Sequence, residues 1–263
     1  MDSITLDAIK YEWLGQSCMR ISAPGAVLYT DPVILDKDPP AATLILITHH
    51  HVDHCLPEFI TPIRNELTKL AAFHDSYIAH CAQEIKGVRT VKIGQTIELA
   101  GATITGLDAY TKRGFHMKGE GCGFLIELAG QRIYFSGDTA RIPEMSGLGR
   151  IDTAIMAIAD NAYAIDLKDI AEAVKEIKPR LLIPVHYTPS GEADPILTPD
   201  MFFSKDPAFF TRKEDPLKMR PLLEGSGVEV AVLRKLGIKK SKKGAPWTAR
   251  PFDSRLFTTS VSL

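Results

Sequence analysis

The sequence predicts a single α/β domain, built on sheets whose strand ends carry the chemistry. Three observations point there. Thr43 to Thr48 (Thr-Leu-Ile-Leu-Ile-Thr) is an unbroken apolar run, the pattern of a strand covered on both faces. Residues 153–185 read as strand, amphipathic helix, strand. Histidines and aspartates follow directly after such strands, where open α/β sheets collect their functional groups. With 263 residues, 45% of them apolar, the chain can bury one substantial core and is short for two. We therefore expect one domain over residues 1–235 and a basic tail over 236–263, in which Lys239, Lys240, Lys242 and Lys243 read as a solvated terminus.

Taken in order, Ile9 to Asp31 reads as short β pieces broken by Gly15 and the Ala23-Pro24-Gly25 turn. After the apolar strand and a histidine cluster, Pro57 suits the first turn of a helix expected to run to about Leu70. Ser76 to Ala79 is expected as a strand, Cys81 to Ile85 as a short helix and Thr96 to Leu107 as alternating β structure. Gly123 to Leu128 and Arg132 to Ser136 form a hairpin through Ala129-Gly130-Gln131. Then come a strand at Thr153 to Ala159, a helix from about Leu167 to Ile177 and a strand at Arg180 to Val185. A Pro-rich, charged stretch with the pairs Phe202-Phe203 and Phe209-Phe210 precedes a last strand at Val228 to Leu233.

Composition narrows the classes. A formal net charge of −1 gives no global pull toward nucleic acid or an anionic membrane. Asp2, Asp7 and Glu12 interrupt any secretory leader pattern, and no run approaches the ~18–20 apolar residues of a spanning helix. Cys18, Cys55, Cys81 and Cys122 form no C-x-x-C pair, so neither a disulfide scaffold nor a cysteine zinc site is signalled, and a cytoplasmic location is expected.

Four of the eight histidines fall within residues 49–54, His49-His50-His51-Val52-Asp53-His54. Imidazole nitrogen and carboxylate oxygen suit Zn²⁺ and neighbouring transition metals, and an H-x-H-x-D-H run can present two His to one ion and an Asp-His pair to another. Side-chain alternation puts His49 and His51 on one side of an extended loop and His50 on the other. Each ion needs about four ligands including water, so further donors must come from elsewhere. At strand ends the chain offers His116, Asp138 in Ser136-Gly137-Asp138-Thr139, and His186 in Pro184-Val185-His186-Tyr187.

This ordered set resembles the metallo-β-lactamase superfamily. More narrowly, Phe115-His116-Met117-Lys118-Gly119 and Tyr134-Phe135-Ser136-Gly137-Asp138-Thr139 are similar to motifs of small metal-dependent hydrolases of the L-ascorbate-6-phosphate lactonase type. The resemblance spans residues 9 to 235 and implies the metallo-β-lactamase fold, a four-layer αβ/βα sandwich with two divalent ions at one edge. Zinc is the first expectation, with manganese or iron as the others. His49, His51 and His116 would hold one ion, Asp53, His54 and His186 the second, and Asp138 would bridge. The ions would sit about 3.5–4 Å apart around a hydroxide that attacks a carbonyl or phosphoryl centre, with Asp53 also orienting the nucleophile and relaying a proton.

The resemblance thus implies a dinuclear metallo-hydrolase of a small ester, lactone or phosphoester. An iron-dependent, dioxygenase-like oxidoreductase of the same fold is the alternative, since such enzymes keep an H-x-H-x-D-H run; diiron flavoprotein reductases differ, carrying Glu where His51 stands. A nucleic-acid-processing hydrolase is disfavoured by the near-neutral charge. Expected partners are a small-molecule substrate and no membrane, with a homo-oligomer left open. His50 reads as structural, and His74 and His80 as ordinary histidines. Cys55 reads as a small hydrophobe. Asp31 reads either as a hydrogen-bond acceptor for a ligand imidazole or as a turn cap. Tyr187 reads as an oxyanion donor or as packing, and Lys118 as solvated or as a contact to an anionic substrate. Relatives of this branch often carry Gly-Gly-Thr near Asp160-Asn161-Ala162, so substrate preference does not transfer.

Overall fold

The computed structural model describes residues 1–51, 53–74, 87–111, 116–158, 166–188 and 215–237. The segments expected at 76–85, the loop at 159–162, the phenylalanine pairs and the lysines of the tail lie outside the described residues.

Among the described residues the chain forms two seven-stranded mixed sheets. The first contains β1 (Ile4–Leu6), β2 (Ile9–Gly15), β3 (Cys18–Ala23), β4 (Ala26–Thr30), β5 (Leu44–Ile47), β6 (Lys69–Phe73) and β7 (Val88–Val91), side by side in chain order. The second contains β8 (Thr96–Leu99), β9 (Ala102–Ala109), β10 (Gly121–Leu128), β11 (Gln131–Phe135), β12 (Thr153–Ala157), β13 (Leu181–Val185) and β14 (Glu229–Val230). Each sheet begins as an antiparallel meander and continues as parallel strands, changing over at β4 in one and β11 in the other. This is the metallo-β-lactamase fold that the motifs implied. The parallel strands β5, β12 and β13 are buried at every position, which explains their largely apolar sequences.

Buried side chains of both sheets make one core, running from Tyr11, Trp13 and Ile21 to Phe124, Ile126 and Ile155. Tyr11 ties the layers together where its hydroxyl donates to Gln131 Oε1 at 3.0 Å. Each fully buried Ile or Leu contributes about 1.5–3 kcal/mol. A core this extensive can therefore hold several loop residues in strained conformations.

The helix Leu167–Ile177 has the expected bounds. Asp166 caps it by accepting from Lys168 N at 2.7 Å, its apolar face (Ile170, Ala171, Val174, Ile177) is buried, and Lys178 ends it in a left-handed conformation. The helix expected from Pro57 to Leu70 is corrected. It covers Pro57–Ile60 only, followed by a 3-10 turn at Thr61–Ile63. Pro62 has no N–H to continue the ladder. The Asn65 side chain then captures Leu67 N and Thr68 N in a turn, and the chain enters β6, a strand absent from the sequence reading.

Candidate metal centre

All the expected ligands lie at strand ends on one edge of the two sheets. His49, His51, Asp53 and His54 follow β5, His116 lies between β9 and β10, Asp138 follows β11 and His186 follows β13. The structure brings them into two groups, His49 with His51, His116 and Asp138, and Asp53 with His54 and His186, whose donor atoms lie within 4.8 Å of one another in each group. Six of the seven are buried and His51 is half-buried. His50 and Cys55 belong to neither group.

The spacing fits metal ions. Metal–nitrogen distances of 2.0–2.1 Å in a tetrahedral site place neighbouring donors about 3.3–3.4 Å apart. In the first group His49 Nε2 is 3.1 Å from His51 Nδ1. In the second, His54 Nε2 is 3.2 Å from His186 Nε2, and Asp53 Oδ2 is 3.7 and 3.5 Å from those two nitrogens. Asp138 Oδ2 lies between the groups, 3.3 Å from His54, 3.2 Å from His186 and 3.9 Å from His49. Its other oxygen is buried and, among the described residues, has no hydrogen-bond partner. A buried carboxylate oxygen left in that state is costly unless a cation meets it.

Electrostatics agree with this arrangement. Burial, reinforced by neighbouring imidazoles, holds His49 well below the usual histidine range and lowers His51 to about 3. Burial also lowers His116. These rings are neutral and offer lone pairs. For His54 burial works the same way, but Asp138 and Asp53 outweigh it and push it up. Burial alone would raise Asp138, yet His186 and His54 hold it well below the usual carboxylate range. Asp138 and Asp53 thus concentrate negative charge around His54 that a cation would neutralise.

The surrounding polar groups orient the rings. Asp31 is fully buried and accepts from Thr48 N at 2.8 Å, from the Thr48 hydroxyl at 2.7 Å and from His54 Nδ1 at 2.8 Å. The Thr48 hydroxyl in turn lies 2.9 Å from His49 Nδ1. One carboxylate therefore fixes one ring of each group with Nε2 turned inward, directly for His54 and through Thr48 for His49. Of the two readings for Asp31, the structure shows the hydrogen-bond acceptor.

Backbone strain concentrates here. Among the described residues, three of the seven non-glycine residues with positive φ, Gln16 (54°), Asp31 (40°) and His186 (63°), bring side chains to the site. Each costs about 1–3 kcal/mol. Gly137 must be glycine, because with φ of 58° a Cβ would stand 2.7 Å from the Cys122 carbonyl oxygen. Gly121 lets β10 begin beneath His116, where a Cβ would meet Ala109 O at 2.6 Å.

Gln16 was missed by the sequence reading. Its amide donates to Asp53 Oδ2 at 2.8 Å. Tyr187 packs instead of facing the ligands, stacking on Trp13 at 4.5 Å and directing its hydroxyl to Leu233 O. Lys118 is exposed and ion-paired with Glu144, with Asp108 3.9 Å away, so its charge is already matched by carboxylates.

Fold and donor set together define a protein of the metallo-β-lactamase class. The chain belongs to the beta-lactamase superfamily, whose domain model matches residues 10–186, and within it to the UPF0173 metal-dependent hydrolase family. The Thermoplasma acidophilum member of that family is 32% identical over 198 residues, covering 69% of this chain and 84% of the relative. The structure of Igni18, a metallo hydrolase from Ignicoccus hospitalis, superposes with a TM-score of 0.66 at 22% identity, covering 88% of this chain and 96% of that one. CmlA, a diiron β-hydroxylase from Streptomyces venezuelae, shares the fold with a TM-score of 0.69 at 15% identity, over 88% of this chain and 54% of its own.

Proposed function

We propose that the chain is a metal-dependent hydrolase that cleaves an ester, lactone or phosphoester bond of a small molecule at a centre of two divalent ions. The observation that carries this reading is the pair of donor groups sharing Asp138, with separations close to a tetrahedron's edge. His49, His51 and His116 would hold one ion, Asp53, His54 and His186 the other, and Asp138 both. Imidazole and carboxylate donors suit zinc, with manganese or iron as alternatives. When bound, the ions supply Lewis acidity and bring the pKa of a water toward neutrality.

The chain's own residues supply the rest. Asp31 and Thr48 engage the Nδ1 atoms of His54 and His49, which leaves the Nε2 atoms facing inward as the donors to the ions. Asp53, held by Gln16, orients the attacking water and takes its proton. Among the described residues, the site is backed on the sheet side by buried side chains. The sequence's four scattered cysteines, with no C-x-x-C pair, support a cytoplasmic location.

The test is a panel of ester, lactone and phosphodiester substrates presented to the zinc- and manganese-loaded protein. Turnover abolished by Asp53→Ala is expected. Absence of turnover across the panel with both ions bound would sink the hydrolase reading. The fold shared with a diiron β-hydroxylase motivates one alternative, an iron-dependent oxidoreductase. Iron retained on purification together with oxygen consumption would favour it.

A further inference from the structure

Gln16 sits in the turn between β2 and β3, outside the ligand set, yet three contacts of functional consequence converge on it. Its side-chain amide donates to Asp53 Oδ2 at 2.8 Å, the same oxygen that lies 3.5 Å from His186 Nε2 and 3.7 Å from His54 Nε2. Its backbone carbonyl accepts from His186 N at 2.9 Å and from the Trp13 indole at 2.8 Å. Trp13 in turn stacks on Tyr187, the residue after His186, with ring planes 26° apart. Gln16 is 4% exposed and holds φ at 54°.

The chemistry of an amide makes this arrangement directional. Nε2 only donates, so toward Asp53 it favours the ionised carboxylate and fixes its rotation while neither giving nor taking a proton. The carbonyl meanwhile anchors the backbone of His186, itself in a left-handed conformation that needs support from its surroundings. One residue of the first sheet thus ties a donor from its own sheet to a donor from the second.

We infer that Gln16 is a positioning residue for the second ion, aligning Asp53 and His186 and so setting that ion's affinity independently of the first. The inference rests on the two-ion reading of the centre. Its test is calorimetric titration of the metal-free full-length protein with Zn²⁺, alongside Co²⁺ absorption spectra, for the wild type, Gln16→Asn and Gln16→Glu. Asparagine tolerates the left-handed backbone and keeps the carbonyl contacts, but draws the amide back by one methylene. The expected result is two ions in the wild type. In Gln16→Asn the second ion binds 10- to 100-fold more weakly and the first within threefold of the wild type. Gln16→Glu, equal in size, should lower the second affinity further by setting a carboxylate against Asp53, whereas a packing role predicts that Glu behaves like Gln. Should Gln16→Asn fail to fold, the isosteric Glu variant decides alone. Wild-type affinity for the second ion in either variant, or equal weakening of both ions, would overturn the inference while leaving the two-ion reading intact. A wild type that binds fewer than two ions would overturn both.

Discussion

Asp31→Asn exchanges one oxygen for an NH₂ group, and the hydrogen bonds around it predict a large effect. Oδ1 accepts from Thr48 N at 2.8 Å, a contact the asparagine carbonyl preserves. Oδ2 accepts from the Thr48 hydroxyl and from His54 Nδ1, so the amide nitrogen takes its place and meets two donors with a donor. His54 must then accept at Nδ1 and carry its proton on Nε2, the atom 3.2 Å from His186 Nε2 and 3.3 Å from Asp138 Oδ2. The Thr48 hydroxyl reverses as well and now donates to His49 Nδ1, placing a proton on the Nε2 of that ring. A hydrogen bond to a charged group contributes about 1.5–3 kcal/mol. At 1.4 kcal/mol per tenfold, losing the His54 contact weakens the second ion about 10- to 150-fold. The relayed effect through Thr48 weakens the first ion less, by about tenfold. Competition between the metal-free variant and a chromogenic chelator measures both. Zinc binding at both sites within threefold of the wild type would refute the reasoning, because it would mean that Asp31 does not set the ring tautomers.

Other perturbations separate the parts of the account. Thr48→Val keeps the backbone contact to Asp31 but deletes the hydroxyl between Asp31 and His49, so the first ion should weaken about tenfold while the second is spared; the same chelator assay reads it, and equal loss at both sites would contradict it. Gly137→Ala forces a side chain into a left-handed position 2.7 Å from Cys122 O, costing at least about 1–2 kcal/mol, and lowers the melting temperature of the metal-free protein by about 2–8 °C. An unchanged melt would show that the turn yields freely. Burial pushes Glu12 up, but Arg20 and Lys10 outweigh it and hold its carboxyl below 4.5. A depressed folded value gives stability that is present above 4.5 and lost as the pH falls through that lower value. The gap in melting temperature between wild type and Glu12→Gln should accordingly be widest near neutrality and close in acid; a gap independent of pH would contradict the assignment.

The site was largely readable because its donors are rare residue types placed where apolar strands stop. His49 to His54 follow the run that became β5, and Asp138 and His186 follow β11 and β13. Gln16 carried no such mark. A glutamine in a Gly-Gln-Ser turn looks like any polar turn residue, and its left-handed backbone and contact with Asp53 arise only when distant segments meet. Its position in a tight turn between two strands was the one available signal. Asp31 stood between two readings because Thr-Asp-Pro after a strand suits a cap as well as a buried acceptor, and tertiary burial decided it. The helix expected from Pro57 is too long for a local reason, since the apolar pattern of the sequence continues past Pro62 and the Asn65 turn into β6.

The most direct measurement is a crystal structure of the zinc-loaded protein with anomalous diffraction recorded on both sides of the zinc absorption edge. Two peaks are expected, one among His49, His51 and His116 and one among Asp53, His54 and His186, with the Asp138 carboxylate between them. A single peak, or zinc bound away from Asp138, would contradict it.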